Sequence, residues 1–230
     1  LDLSANTSLT SINVADNRLT ILKVDNGINT SVTYFNATGN PDLSCITVDD
    51  PTYSTSNWLG IPAGTGYSTD CAVDIPNATF KTALTSHTPD IDLNDDGEIQ
   101  ISEALAFTDD LSVGNNTAIT DITGIEAFQH ITYLFAGNND LQSVDITQNT
   151  KLQEVRLFNN YDIPEVNATT LHDLVIAYFS NLSLTEIDVT NNPKLQKLYV
   201  GVNDIAELDV TNNPNLEFLS AGDNKIKTID

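Results

Sequence analysis

The feature that most constrains this chain is a series of asparagines. From Asn116 they recur at Asn139, Asn160, Asn181, Asn203 and Asn224, at intervals of 23, 21, 21, 22 and 21 residues. Apolar residues precede them in the spacing L-x-x-L-x-L-x-x-N-x-L. Ile131, Leu134, Ala136, Asn139 and Leu141 fill this pattern, as do Leu195, Leu198, Val200, Asn203 and Ile205, and Leu216, Leu219, Ala221, Asn224 and Ile226. Segments of this length cannot bury an apolar face alone. They do so by stacking on copies of themselves, which predicts a solenoid.

Weaker copies fill the gaps. Leu111, Val113 and Asn116 open the run; Leu152, Val155, Leu157 and Asn160 continue it, followed by Ile176, Tyr178 and Asn181. An earlier run holds Leu9, Ile12, Val14, Asn17 and Leu19, then Val32, Phe35, Ala37 and Asn40, with Leu43 one place late. Each L-x-L predicts a short strand in a parallel sheet, with its alternate residues pointing inward and the asparagine turning the chain. Half a repeat away lie Val144-Asp145-Ile146-Thr147, Ile187-Asp188-Val189-Thr190 and Leu208-Asp209-Val210-Thr211, which keep the same period and should build the opposite wall. The expected fold is an α/β-type solenoid, a leucine-rich repeat horseshoe with a parallel concave sheet and a mostly irregular convex side.

The two runs are separated by residues that break the period. Cys45 and Cys71 bracket a stretch rich in Ser, Thr, Gly and Pro that carries the only tryptophan, Trp58. Two cysteines can be a free buried pair, but a bridge across this loop is favoured, and it implies an oxidising, extracytoplasmic setting. Residues 46–71 then read as a cap over the last coil of the first run, with Trp58 covering it. Next, Phe80 and Leu84 stand at helical spacing. Asp92 to Glu103, D-L-N-D-D-G-E-I-Q-I-S-E, matches the calcium loop of an EF-hand. Asp92, Asn94 and Asp96 would offer side-chain oxygens, Glu98 its backbone carbonyl, Gln100 a water-mediated contact and Glu103 a bidentate carboxylate, with Gly97 at the sharp turn. The alternative is a plain acidic turn. The loop would be flanked by two short helices and would act as a structural staple for Ca²⁺. The organisation predicted is 1–76 for the first array with its disulfide cap, 77–110 for the EF-hand-like cap and 111–230 for the second array.

Composition narrows the function. Nine basic against 32 acidic residues leave a net charge of −23, which disfavours nucleic acid and anionic membrane surfaces as partners. No apolar run is long enough to insert directly into a membrane. His87, His130 and His172 fit no metal-ligand spacing, and no nucleophile or phosphate-loop motif occurs, so no enzyme is predicted. The residues between the inward leucines of the second array are unusually aromatic. Tyr133, Phe135, Arg156, Phe158, Phe179, Tyr199 and Phe218 are the candidate partner-binding set, facing a protein or a surface glycan. Ordinary strand preference for aromatics would produce the same list. Because the chain begins and ends in mid-repeat, covalent continuity with further domains on both sides is expected.

The alternation of L-D-V-T-N-N-P-x-L with L-x-Y/F-L-x-A-G-x-N-x-L resembles the secreted leucine-rich repeats of Bacteroidetes-type surface proteins. More distantly it is similar to the internalins, through the I-T-D-I-T-G-I-E style of residues 119–126. The segment from Cys45 to Cys71 resembles the disulfide cap of such arrays, and residues 80–104 resemble their calcium-binding N-terminal segment. The resemblance implies an extracellular or bacterial cell-surface location and a non-enzymatic role in adhesion or protein contact, with export by a dedicated secretion system. The alternative is a carbohydrate-binding or spacer module attached to a secreted glycan-degrading enzyme.

Overall fold

The computed structural model describes residues 1–229, and the chain divides into two compact units, Leu1–Ala72 and Val73–Asp230. Both are built from leucine-rich repeat coils.

In the first unit the chain alternates between two parallel sheets. β1 (Ser11–Asn13) pairs with β3 (Tyr34–Asn36), and β2 (Leu22–Val24), β4 (Cys45–Val48) and β5 (Gly66–Ser68) form the other sheet. The wall expected to be irregular is therefore a three-stranded sheet here. Its Leu22, Val24, Ile46 and Val48 alternate inward and are fully buried, and Thr47 between the last two is covered as well. The cap follows. Helix α1 (Pro51–Asn57) starts on Asp50, whose carboxylate accepts from the Tyr53 N–H at 2.9 Å, with proline in the first turn. It delivers Trp58, 2 % exposed, face to face onto Phe35 with centroids 4.5 Å apart; Tyr67 meets both rings edge-on and donates its hydroxyl to the Trp58 carbonyl at 2.7 Å. Cys45 and Cys71 are bonded. The bridge ties the central strand of the sheet to the end of the unit. The expected disulfide is present, and the tryptophan expected to cover the last coil does so by stacking on Phe35.

The second unit opens with helices α2 (Ala78–Thr85) and α3 (Ile101–Ala106). Asn77 caps α2 by accepting from the Phe80 N–H at 2.8 Å, and the helix buries Phe80 and Leu84 one turn apart. A six-stranded parallel sheet follows in the order β6 (Leu111–Ser112), β7 (Tyr133–Phe135), β8 (Glu154–Arg156), β9 (Ile176–Tyr178), β10 (Lys197–Tyr199) and, after β11 (Glu207–Leu208), β12 (Phe218–Ser220). β11 pairs with β13 (Thr228–Ile229) on the other wall. Elsewhere that wall is made of turns. In each of Asp145/Thr147, Asp188/Thr190 and Asp209/Thr211, the Asp Oδ1 accepts from both the backbone N–H and the hydroxyl of the Thr two residues on. The D-x-T motif is a repeated side-chain-closed turn.

Two asparagine ladders run through this unit. In the inner one, buried at Asn139, Asn160 and Asn203 and half-buried at Asn224, each asparagine donates to a carbonyl of the preceding coil and accepts from a main-chain N–H of that coil. The outer one is a row of amides in which Asn181 donates to Asn159, Asn159 to Asn138 and Asn138 to Asn115, each at 2.7 Å. Its members sit at φ between 56° and 63°, where asparagine is among the few tolerated side chains. Asn181 thus belongs to the outer ladder, and the expected series was misaligned at that coil. The inner position there is Leu182, buried, which gives intervals of 23, 21, 22, 21 and 21 from Asn116.

Candidate functional site

The register of the β9 coil decides which of its residues face out. Strand pairing sets Glu154 beside Ile176 and Arg156 beside Tyr178, so Ala177 and Phe179 point inward and Ile176 and Tyr178 outward. Phe179, expected on the partner-binding face, is 0 % exposed and lies in the core. The physical reason is volume and polarity. Small Ala177 leaves space for the Phe179 ring, whereas the slipped register would bury the Tyr178 hydroxyl among aliphatic side chains. Counting from Leu152, Leu174 and Leu195, all fully buried, rather than from Asn181, yields the correct register.

The other named residues come together. Tyr133, Phe135, Arg156, Phe158, Tyr199 and Phe218 lie on the outer side of the six-stranded sheet, and Tyr178, missed in the sequence, joins them. The rings form a continuous stripe: Phe135 to Phe158 at 5.9 Å, Phe158 to Tyr178 at 6.3 Å, Tyr178 to Tyr199 at 4.3 Å and Tyr199 to Phe218 at 4.8 Å between centroids. Tyr178 and Tyr199 are only 12° from parallel, so each covers one face of the other. Glycines make room beside them. A Cβ on Gly114 would sit 2.7 Å from two atoms of the Phe135 ring, and one on Gly137 would sit 2.9 Å from a third. Burial, and after it the hydrogen bond with Tyr199, hold the Tyr178 phenol above its ordinary pKa; burial likewise raises Tyr133, with Arg156 opposing.

Arg156 lies in the middle of the stripe. Its guanidinium carbon is 4.7 Å from the Tyr178 ring centroid and 5.6 Å from that of Tyr133, and its Nε donates to Glu154 Oε1. Among the outward residues of the six strands, Glu154 is the single acid. The acids gather elsewhere: Glu165, Glu186, Asp188, Glu207 and Asp209 line a cleft on the wall of D-x-T turns.

The loop of residues 92–103 is the second candidate. Gly97 has φ 81° and Asp95 φ 58°, the left-handed positions that fold the loop on itself. Asp92, 4 % exposed, accepts from the Gly97 and Asp96 N–H groups; Glu103, 7 % exposed, accepts from Leu93 N at 2.8 Å and Gln100 N at 2.9 Å. Asn94, Asp96 and Gln100 are bonded to one another, with Gln100 Nε2 donating to Asp96 at 2.8 Å. The Glu98 side chain turns away to Lys81, leaving its backbone carbonyl to the loop. Ile99 is fully buried, and its carbonyl accepts from Val73 N at 2.7 Å, a main-chain partner the sequence did not suggest. Among the described residues no group of three or more His, Cys, Asp or Glu side chains is gathered as a metal cluster. The loop's donors are of mixed kind, three carboxylates with two amides and a carbonyl. They are hard oxygens, and their chemistry fits a calcium-sized cation. The three histidines bond main-chain carbonyls, His87 to Pro89, His130 to Leu105 and His172 to Asn191.

No family model and no curated protein sequence matches the chain. Among solved structures it is similar to the functional domain of InlJ from Listeria monocytogenes, at 21 % identity over 100 % of this chain and 57 % of that one, with a TM-score of 0.43. It is also similar to the internalin InlF of the same species, at 19 % identity over 97 % and 62 % of the two chains and a TM-score of 0.46. Internalin C2 matches at 18 % identity over 69 % of this chain and 90 % of that one, with a TM-score of 0.42. The chain spans 57 % and 62 % of the length of the first and second of these. Among the described residues no helix is long and apolar enough to cross a membrane.

Proposed function

We propose that this chain is a non-enzymatic, extracellular or cell-surface repeat module that binds another protein through the aromatic stripe and serves adhesion. The observation that carries the reading is the stacking of the stripe. A sugar ring binds an aromatic by lying on its open face. Here Tyr178 and Tyr199 cover each other, with Arg156 over the one and Phe218 against the other, and Phe135 is wedged among glycines, so the middle of the stripe offers ring edges and hydroxyls instead. Preordered aromatic edges lose little side-chain entropy on contact, which suits a protein interface. The Cys45–Cys71 bridge supports an oxidising compartment. Calcium at the 92–103 loop is part of the same reading. Asp92, Asn94, Asp96 and Glu103 side chains, the Glu98 carbonyl and Gln100 through a water would hold it, and the ion would neutralise the carboxylates of Asp92, Asp96 and Glu103.

The test is an array of purified extracellular protein domains probed with the labelled chain and with a Phe158→Ser, Tyr178→Ser, Tyr199→Ser variant of unchanged circular dichroism. Partners that bind the parent and are lost by the variant are expected. Partners retained by the variant would place the contact elsewhere, and binding confined to glycans would restore the carbohydrate-module reading.

A further inference from the structure

Arg156 carries an inference beyond a generic aromatic interface, and it rests on the stripe being the docking face. Its guanidinium is fixed on three sides: Glu154 takes the Nε edge, and the rings of Tyr178 and Tyr133 hold the plane. Among the described residues the two Nη groups have no hydrogen-bond partner, and the side chain remains 37 % exposed. A guanidinium so held presents two N–H donors side by side, the geometry that a carboxylate accepts in a bidentate pair. The remaining cation on the strands' outer side, Lys197, stands two strands away in sheet order and has no fork. Glu154 does not saturate Arg156, since it occupies the Nε edge alone.

We infer that Arg156 is the anchor of the stripe and that it receives a carboxylate, an Asp or Glu side chain flanked by apolar residues on a polypeptide partner. The apolar flanks lie against Phe158 and the Tyr178–Tyr199 pair, and the carboxylate completes the guanidinium fork. The choice of a peptide carboxylate over that of an acidic sugar follows from the ring beside the fork: Tyr178 has Tyr199 stacked on it and the Arg156 guanidinium over it, so no open face is left next to Arg156 for a sugar to stack on. The proposal also runs against the molecule's overall field. At a net charge of −23, unspecific attraction draws basic peptides, so selection of an acid requires a local cation held for the purpose.

The experiment is selection of a random twelve-residue peptide library displayed on phage against the full 230-residue chain, in parallel with Arg156→Gln and Arg156→Lys. The parent is expected to enrich peptides with one Asp or Glu between apolar residues. Synthetic copies of those peptides should bind Arg156→Gln about ten- to a hundredfold more weakly, and their Asn or Gln counterparts should lose as much against the parent. Arg156→Lys, which keeps the charge without the fork, should fall between. Hyaluronan hexasaccharide, a carboxylate source on sugar, should not compete, and competition by it would overturn the peptide assignment. Enrichment of apolar peptides without an acid, lost in the Phe158/Tyr178/Tyr199 variant, would leave the docking face standing and remove the role given to Arg156. Enrichment insensitive to both sets of substitutions would remove the docking face itself, and the inference with it.

Discussion

Substituting Asn160 by alanine isolates the inner ladder. The side chain is fully buried. It accepts from Leu141 N at 3.0 Å and donates to Ala136 O at 2.9 Å and Leu157 O at 2.6 Å. Alanine leaves one buried N–H and two carbonyls without their partner, in a core whose neighbouring Leu141 and Leu157 exclude water. At about 1 kcal/mol for each net bond, and more for each group left unsatisfied, the loss is about 3–5 kcal/mol. For a unit of this size that corresponds to a fall in melting temperature of roughly 6–20 °C. The control is Asn181→Ala in the outer ladder, which removes a single half-exposed bond and adds left-handed strain. It should cost about 1 kcal/mol. The chain contains its own precedent at Leu182. The residue that a side chain there would serve is Asp162, two places past Asn160 as Leu141 is past Asn139, and Asp162 is exposed where Leu141 is fully buried. Urea unfolding followed by circular dichroism, with hydrogen exchange at the Leu141 amide, measures the effect. A loss below about 1 kcal/mol for Asn160→Ala would refute the view that the inner ladder couples one coil to the next.

Phe179→Ala should destabilise the second unit by about 3–5 kcal/mol and Tyr178→Ala by far less, a contrast that thermal unfolding reads directly and that reverses if Phe179 faces out. Saturating calcium should raise the melting temperature by an amount that chelator removes and Asp92→Ala abolishes, about 2.7 kcal/mol at a hundredfold excess over Kd; no shift means that the loop is an acidic turn. Reducing Cys45–Cys71, which closes a loop of 26-residue separation, should cost the first unit about 3–4 kcal/mol. Trp58 fluorescence, the sole tryptophan signal, should then shift to the red at lower denaturant. The Thr190 and Thr211 hydrogen bonds hold the carboxyls of Asp188 and Asp209 below their ordinary pKa. That contribution is present above the unfolded value near 3.8 and is lost as pH falls through the lower folded values. Thr190→Val with Thr211→Val should raise both carboxyl titrations in NMR, and unchanged titrations would dissociate the turns from the shift.

Much of this was legible in the sequence because the coil period ties burial to position. Ile131, Leu134, Ala136 and Asn139 have one reading, and the structure places all four in the core. At Asn181 one polar residue points to a register that the surrounding apolar residues contradict. Adjacent columns of the coil both favour asparagine, one for its hydrogen bonds and the other for its left-handed backbone, so an asparagine by itself does not report which column it occupies. The sheet on the second wall of the first unit was written in Leu22, Val24, Ile46 and Val48, but two-residue alternation over three residues is too short to separate a strand from a turn. Arg156 was visible as a cation among aromatics. That its fork is held by Glu154 and left open is a matter of side-chain geometry, which no spacing encodes.

The stripe has a consequence for how such a surface changes over generations. Each coil contributes one to three outward residues, and its fold is secured by other residues of the same coil, the inward apolar pair and the inner ladder. Recognition and stability are thus written in separate columns of one repeating line. Exchanging Tyr178 or Tyr199 edits a letter of the contact surface while the line itself stays intact. Duplicating or deleting a whole coil shifts the later letters by one strand spacing relative to Arg156. A lineage of such chains can therefore explore new partners by substitution within the outward columns, or by changing how many coils stand between one anchor and the next.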